Sequence, residues 1–367
     1  MKSFLVFILM NFFLLSFSQQ PETDSLTIMF VGDIMSHGPQ IKSAYDPIAK
    51  TYDYTESFRY VKNIFKQADF VVGNLETPLG IKPYKGFPVF SAPPALVVAC
   101  KDAGINVLAT ANNHACDKKK KGILNTLDIL DSLSISHFGT YRDVIAQDSL
   151  TPLLLKKGDF RIALLNYTYG TNGMPISPPT RVNLIDTLKI KRDIDIAKQA
   201  KSNLIISFMH WGTQYQDLAN KSQKKLVTFL KKNAVNMIVG AHPHVVQPMI
   251  FEKDTLKNKT SLTAYSLGNF LSNQRYFRRD GSLILKIKLR INEQNRVKIQ
   301  KVSYIPIWVY KYKKEKRNHF EILPVKIFKN KPEYFLDYKD YSQMLKYSNH
   351  LNQLMKKHGK NIYEESE

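Results

Sequence analysis

Asn236–His244 reads NMIVGAHPH: an apolar run of strand character stops at Gly240 and delivers His242 and His244 into the loop that follows. Histidine is the commonest metal ligand and the side chain that most readily moves protons near neutral pH. Pro243 holds the two imidazoles apart at the strand end. An isolated pair of this kind is also what a plain surface loop can carry, so its meaning depends on how the other strands end.

They end in the same way. Short apolar, β-branched runs bounded by Gly, Asn or Pro read as strands. LTIMFV ends at Gly32-Asp33 with His37 just beyond, DFVVG at Asn74-Leu75-Glu76, and INVLAT at Asn112-Asn113-His114 with Asp117 following. LIISFM ends at His210-Trp211-Gly212 and LTAYS at Leu267-Gly268-Asn269. Helical patterns lie between them: SFRYVKNIFKQA, PALVVACKDA, GILNTLDILDSL, DIDIAKQAKS and QKKLVTFLKKNA. This alternation predicts βαβ units and a largely parallel sheet. In such sheets ligands bind outside the carboxyl ends of the strands, so these loops are expected to converge on one crevice.

The ligand chemistry follows from residue type. His210, His242 and His244, the carboxylates Asp33 and Glu76, and the Asn113 amide oxygen form a mixed nitrogen and oxygen set. Imidazole suits Zn, Fe, Mn, Ni and Cu, whereas Mg and Ca sites are built almost wholly from oxygen. The set exceeds what one tetrahedral ion needs. Two ions about 3.5 to 4 Å apart, bridged by a carboxylate, use it fully, and such pairs are typical of phosphatases and nucleases. The expected chemistry is hydrolysis by metal-activated water.

Taken in order, GDIMSH, NLETPLG, TANNHACD, HWGTQY, GAHPHVVQP and AYSLGNFLSNQ resemble the CapA/PgsA capsule-biosynthesis family, also called poly-γ-glutamate synthesis proteins. The resemblance covers roughly Ser25 to Trp308, and the ordered set is specific although each piece alone is weak. That family is similar to the calcineurin-like metallophosphoesterases, which implies an α/β fold: a layered αββα sandwich of mixed, largely parallel sheets. It also implies two divalent transition-metal ions (Mn, Fe or Zn). On the same resemblance Asp33 and His244 hold one metal, with His37 as an additional ligand, and Glu76 stands where the superfamily has a bridging Asp. Asn113, His210 and His242 hold the second, leaving His114 to protonate a leaving group or stabilise the transition state.

The chain departs from the family pattern in places. Gln214 in HWGTQY stands where relatives often carry Glu, which weakens the orientation of His210. Ala115 and Cys116 separate His114 from Asp117, whereas the superfamily places an acid directly after its motif histidine. Asp117 therefore either orients His114 or caps the next helix. Lys118–Lys121 adds positive charge near the expected site. Asn74, Asn172 and Asn269 are candidate substrate contacts. Asn172 lies in a Gly170–Gly173 loop that also reads as a plain connection, and Asn269 in a tight turn that it also reads as shaping. Asn112 reads as structural, bonding its own backbone.

Lys2 and the apolar run Phe4–Phe17, with Ser16-Phe17-Ser18 before Gln19, predict a signal peptide over residues 1–18; an uncleaved anchor is the alternative. The expected location is the periplasm or cell surface, with membrane association in the second case. A capsule-family domain is expected over 25–310 and a basic extension over 311–367. Within the domain, SLILKIKLRI and VKIQKVSYIPIWVY read as late strands forming an edge or a second sheet. Only Cys100 and Cys116 occur, which excludes a disulfide scaffold, and Cys100 reads as a small buried hydrophobe. The net charge of +22 attracts polyanions, but no nucleic-acid-binding module is present. The resemblance implies an anionic polymer such as poly-γ-glutamate, and a membrane capsule-synthesis complex, as partners. Two functions are carried forward: an exported metal-dependent hydrolase of a phosphoester or anionic polymer, and a non-catalytic polymer-binding subunit of a capsule assembly or export complex.

Overall fold

Alternate residues of the strand Ser25–Ile34 (β1) face opposite ways, and both ways are apolar. Leu26, Ile28 and Phe30 point into one buried cluster while Met29, Val31 and Ile34 point into another. A strand covered on both faces lies in the middle layers of a sandwich. The computed structural model describes residues 25–254, 259–292 and 296–365, so the signal-peptide expectation lies outside the described residues.

The first sheet is built on a parallel run from β1 through Phe70–Leu75 (β2) and Val107–Ala109 (β3) to Ser136–Phe138 (β4). The second has Leu153–Lys157 (β5), Phe160–Thr168 (β6), Leu204–His210 (β7), Met237–Ala241 (β8), Val246–Asp254 (β9) and Lys259–Leu267 (β10) in the order β9-β10-β8-β7-β6-β5. Its centre, β10-β8-β7-β6, is parallel and its two outer pairs are antiparallel. After β10 the chain turns at Gly268 and crosses to the first sheet, where Asn269–Leu271 (β11) pairs with β1. Gly32 makes that crossing possible, because a Cβ there would overlap the Gly268 carbonyl oxygen, which accepts the Asp33 N–H.

Ile162, Leu164, Ile206, Phe208 and Val239 of the second sheet meet Ile28, Phe30 and Val72 of the first in the central core. Outside the first sheet, Leu96, Val97 and Cys100 of the helix Ala95–Ala103 (α1) pack on Met29 and Val31. Beyond the second, Ile190 and Ile194 of Thr187–Gln199 (α3) and Val227 and Leu230 of Lys221–Lys232 (α4) cover Ala163 and Leu165. Between α1 and α3 in the chain, Lys119–Ser132 (α2) follows the loop after β3. The layers run helix, sheet, sheet, helix, as expected for the αββα class.

Several elements differ from the sequence expectation. SFRYVKNIFKQA forms two single turns, Thr55–Phe58 and Lys62–Phe65, because Val61 and Ile64 donate to carbonyls three residues back, which tightens the coil. The helix expected from Asp193 begins at Thr187, where the Asp186 carboxylate accepts the Leu188 and Lys189 N–H groups. The late strands Gly281–Ile291 (β12) and Val297–Lys314 (β13) belong to the first sheet, β12 lying antiparallel beside β1. Arg317–Pro324 (β14) pairs with β13, which runs through the composition change at Lys311, so neither late strand is the edge. The helix Tyr338–His358 (α5) contributes Met344, Tyr347 and Leu351 to the central core. Cys100 and Cys116 are buried and free.

Candidate metal centre

Asp33 and Asn74 stand in register near the carboxyl ends of β1 and β2, and Asn269, the first residue of β11, stands beside Asp33. Asn74 Nδ2 donates to Asp33 Oδ1 at 2.8 Å and reaches Glu76 Oε2 at 3.3 Å, holding two fully buried carboxylates apart. The opposite wall comes from the second sheet: His210 ends β7, and His242 and His244 follow β8. His242 and His244 sit at φ +95° and +57°, a backbone region that costs non-glycine residues about 1–3 kcal/mol each. That turn leaves the two imidazoles 5.8 Å apart, with His210 4.8 Å from His242.

Glu76 is common to both potential ligand groups, Glu76/His242/His244 and Asp33/Glu76/His210, whose ligand atoms lie within 4.8 Å of one another. Its Oε1 lies 3.7 Å from His210 Nε2 and 3.8 Å from His244 Nε2. These groups cut across the pairing that the family resemblance implies. His244 Nδ1 meets Asp33 Oδ2 at 2.9 Å, and His210 Nε2 meets Asn113 Oδ1 at 2.7 Å, so Asn113 completes the cluster through His210. His37 belongs to neither group. The Asn273 N–H donates to its Nδ1 at 3.3 Å, leaving only Nε2 for any ligand.

The electrostatics fit a cation. Burial, then the neighbouring Asp33, pushes the Glu76 carboxyl well above the usual carboxylate range. Burial and the other histidines push His210 well below the ordinary imidazole range, and burial with His244 lowers His242 to about 3. The imidazoles of His210 and His242 are therefore neutral and carry lone pairs, so neither supplies the buried Glu76 carboxyl with a compensating positive charge. Glu76 Oε1 and His242 Nδ1 are buried without a hydrogen-bond partner. Such orphans are expensive in a native interior, and together with this donor set they fit divalent metal binding.

Beside this cluster His114 Nδ1 donates to Asp117 Oδ2 at 2.8 Å, and the Phe90 N–H donates to the same oxygen at 2.7 Å. Asp117 thus orients His114 and does not cap the next helix, whose N-cap position falls at Lys118 without a side-chain cap bond. The Phe90 ring presses edgewise on His114 at 4.7 Å and His37 at 5.2 Å. Asn112 bonds the Leu75 carbonyl and the His114 N–H, a structural role. Asn172 accepts from Asn113 Nδ2 at 3.1 Å, which brings the Gly170–Gly173 loop to the rim. Asn74 and Asn269 are fully buried; the Asn269 amide donates to the Arg279 carbonyl at 2.8 Å and to the His244 carbonyl at 3.4 Å. Both support the site from beneath.

Sequence reasoning missed two neighbours. Tyr169 is 48% exposed yet lies 4.6 Å from the His242 ring and stacks on His210 at 6.4 Å. Its position one residue past β6, another strand end, was the available signal. Asn166 within β6 receives the Ala111 N–H at 2.7 Å and donates to the Ala111 and Phe208 carbonyls, tying the Asn112–His114 turn to the second sheet. No local pattern marks it.

Two mixed sheets flanked by helices, with a His/Asp/Glu cluster at their parallel strand ends, define a metallophosphoesterase-type fold. The fold is similar to NAD nucleotidase of Haemophilus influenzae, with a TM-score of 0.51 at 11% identity, covering 90% of this chain and 61% of that one. The chain belongs to the family described as Bacterial capsule synthesis protein PGA_cap, which it matches over residues 27–274. It is 29% identical to the Capsule biosynthesis protein CapA of Bacillus anthracis over 74% of this chain and 66% of that protein. It is 27% identical to the PGA biosynthesis protein CapA of Bacillus subtilis strain 168 over 76% of this chain and 72% of that protein. The chain therefore spans just under two thirds of the length of the first of these relatives.

Proposed function

We propose that this protein is a metal-dependent hydrolase of capsule or poly-γ-glutamate biosynthesis, acting on a phosphoester or on an anionic polymer. The observation that carries the reading is Glu76: one buried carboxylate common to two ligand groups, whose Oε1 has no hydrogen-bond partner. Asp33, Glu76, Asn113, His210, His242 and His244 would hold two divalent transition-metal ions, Mn, Fe or Zn. Such ions supply an activated water and neutralise developing negative charge. The chain's own residues do the rest. Asn74 keeps the carboxylates separated and pointing at the imidazoles. Asp117 holds His114 with its Nδ1 proton engaged, so Nε2 is the atom that holds or gives a proton at a leaving oxygen. Tyr169 and the Asn172 loop wall the opening on the second-sheet side.

The proposal includes export to the periplasm or cell surface, supported by Lys2 and the apolar run Phe4–Phe17. It also includes an acidic polymer as partner, supported by the charge of +22. No described helix is long and apolar enough to cross a membrane. The deciding experiment is metal analysis of purified protein together with hydrolysis of an aryl phosphate by wild type and His242→Ala. Bound metal, with activity lost in the variant, is expected. Metal-free, inactive wild-type protein would overturn the hydrolase reading in favour of a polymer-binding subunit, and equal activity in the variant would overturn the site.

A further inference from the structure

One aromatic ring away from His244 lies a cation with no anionic partner among the described residues. The Arg279 guanidinium sits 3.3 Å above the Tyr215 ring, and Tyr276 faces it at 5.0 Å. The Tyr215 ring is itself 6.1 Å from the His244 ring. Among the described residues the guanidinium makes no hydrogen bond and no ion pair. Its sequence neighbour Arg278 is different, being paired with Asp217. Two carboxylates lie close to this stretch, and both are engaged elsewhere: Asp217 by Arg278 and, at 3.8 Å, by His350 Nε2, and the buried Asp280 by Trp308 Nε1, which donates to its Oδ2 at 3.0 Å.

This is a held cation and not a loose surface side chain. The Tyr215 backbone is at φ +67°, and its N–H donates to the Pro243 carbonyl at 2.7 Å, which fixes the ring against the His242–His244 turn. The Arg279 carbonyl accepts from Asn269 Nδ2 at 2.8 Å, and that same amide reaches the His244 carbonyl at 3.4 Å. Both partners of the stack are thus anchored to the loop that carries the metal-site histidines. Stacking uses the flat faces of the guanidinium and leaves its N–H edge free, the edge that grips a planar oxyanion with two parallel hydrogen bonds.

We infer that Arg279, clamped by Tyr215 and Tyr276, is a binding subsite for a second oxyanion of the substrate, a carboxylate or phosphate adjacent to the group held at the metal centre. The inference rests on the reading of that centre as the substrate site. It assigns specificity to this position: a ligand carrying one anion engages the centre alone, and a polyanion engages both. Lysine does not replace arginine here, because a compact ammonium neither stacks nor forms the paired contact.

The test is binding of a γ-linked glutamate pentamer and, separately, inorganic phosphate, measured by titration calorimetry on full-length wild type, Arg279→Gln and Arg279→Lys, as purified and after chelation. A charge-assisted bidentate contact predicts at least about tenfold weaker binding for Arg279→Gln and a smaller loss for Arg279→Lys. In protein as purified the pentamer shows the Arg279-dependent difference and phosphate, a single anion, does not; after chelation, the probe that retains such a difference identifies the anion as carboxylate or phosphate. A difference that persists after chelation supports the subsite even where the hydrolase reading fails. Equal affinity of all three proteins for both probes overturns the inference. Should Arg279→Gln not fold, equal affinity of wild type and Arg279→Lys overturns it.

Discussion

Replacing Glu76 by Gln should move metal affinity and metal-free stability in opposite directions. Glu76 is fully buried beside Asp33, and burial followed by that neighbour raises its carboxyl well above the usual range. An acid raised on folding binds more protons in the folded chain than in the unfolded one. Its contribution to stability is thus lost as pH rises above the ordinary value of 4.5. At about 1.4 kcal/mol per pH unit above 4.5, the penalty in metal-free protein at pH 7 reaches at most about 3.5 kcal/mol. Glutamine keeps the shape and can still accept the Asn74 amide, now 3.3 Å from Oε2, while carrying no charge to desolvate. Chelated Glu76→Gln is therefore expected to melt at or above wild type, by up to several degrees. Metal binding should fall steeply, because the lost charge is shared by both ligand groups. Residues that merely orient ligands cost about 10- to 100-fold in affinity when removed, and a shared ligand should cost more. The assay is thermal unfolding with chelator and with added Mn or Zn, combined with metal content. A variant that melts below wild type in chelator, or retains its metal, refutes the reasoning.

The remaining predictions concern proton handling, pH and the sheet crossing. Asp117→Asn removes the acceptor that orients His114 and should lower hydrolysis of an aryl phosphate by about 10²- to 10⁴-fold with metal content unchanged; unaltered turnover would show that His114 moves no proton. In chelated protein His37, lowered chiefly by burial to about 4, His242, lowered chiefly by burial to about 3, and His210, held well below the ordinary range by burial and then by the neighbouring histidines, are all neutral when folded. The unfolded chain binds protons there first, so stability is full above pH 6.5 and is lost as pH falls below it, by up to about 1.4 kcal/mol per unit per histidine. Glu76 works against this, but three histidines outweigh one carboxyl, so the melting temperature should drop between pH 7 and 5. Urea unfolding at several pH values should show a shallower dependence for His242→Asn. Gly32→Ala drives a methyl into the Gly268 carbonyl and should cost more than about 4 kcal/mol or abolish folding, read as loss of soluble protein; a near-native melting curve would contradict the crossing.

Much of the fold was legible because its signals are local. Central parallel strands are apolar on both faces, so LTIMFV, LIISFM and NMIVG stand out as short runs, and the amphipathic helices between them repeat at helical spacing. Strand partners are not local. SLILKIKLRI could be recognised as a strand, yet its place beside β1 depends on residues that are distant in sequence, since Leu285 pairs with Phe30. The split of SFRYVKNIFKQA was also hidden, because Phe58, Val61 and Phe65 satisfy the same apolar spacing whether the helix is continuous or broken.

NMIVGAHPH and the other strand ends by themselves determined which residues carry chemistry and that they gather at one end of the sheets, because a parallel strand must deliver its following loop to its carboxyl side. Only the tertiary structure decided who meets whom. It put Glu76 between His210 and His244, set His37 apart by having its Nδ1 accept the Asn273 N–H, and brought Tyr169 and Arg279 to the rim. Those outcomes depend on distances between two sheets that touch through the Gly268 crossing, and a linear pattern contains no such distances.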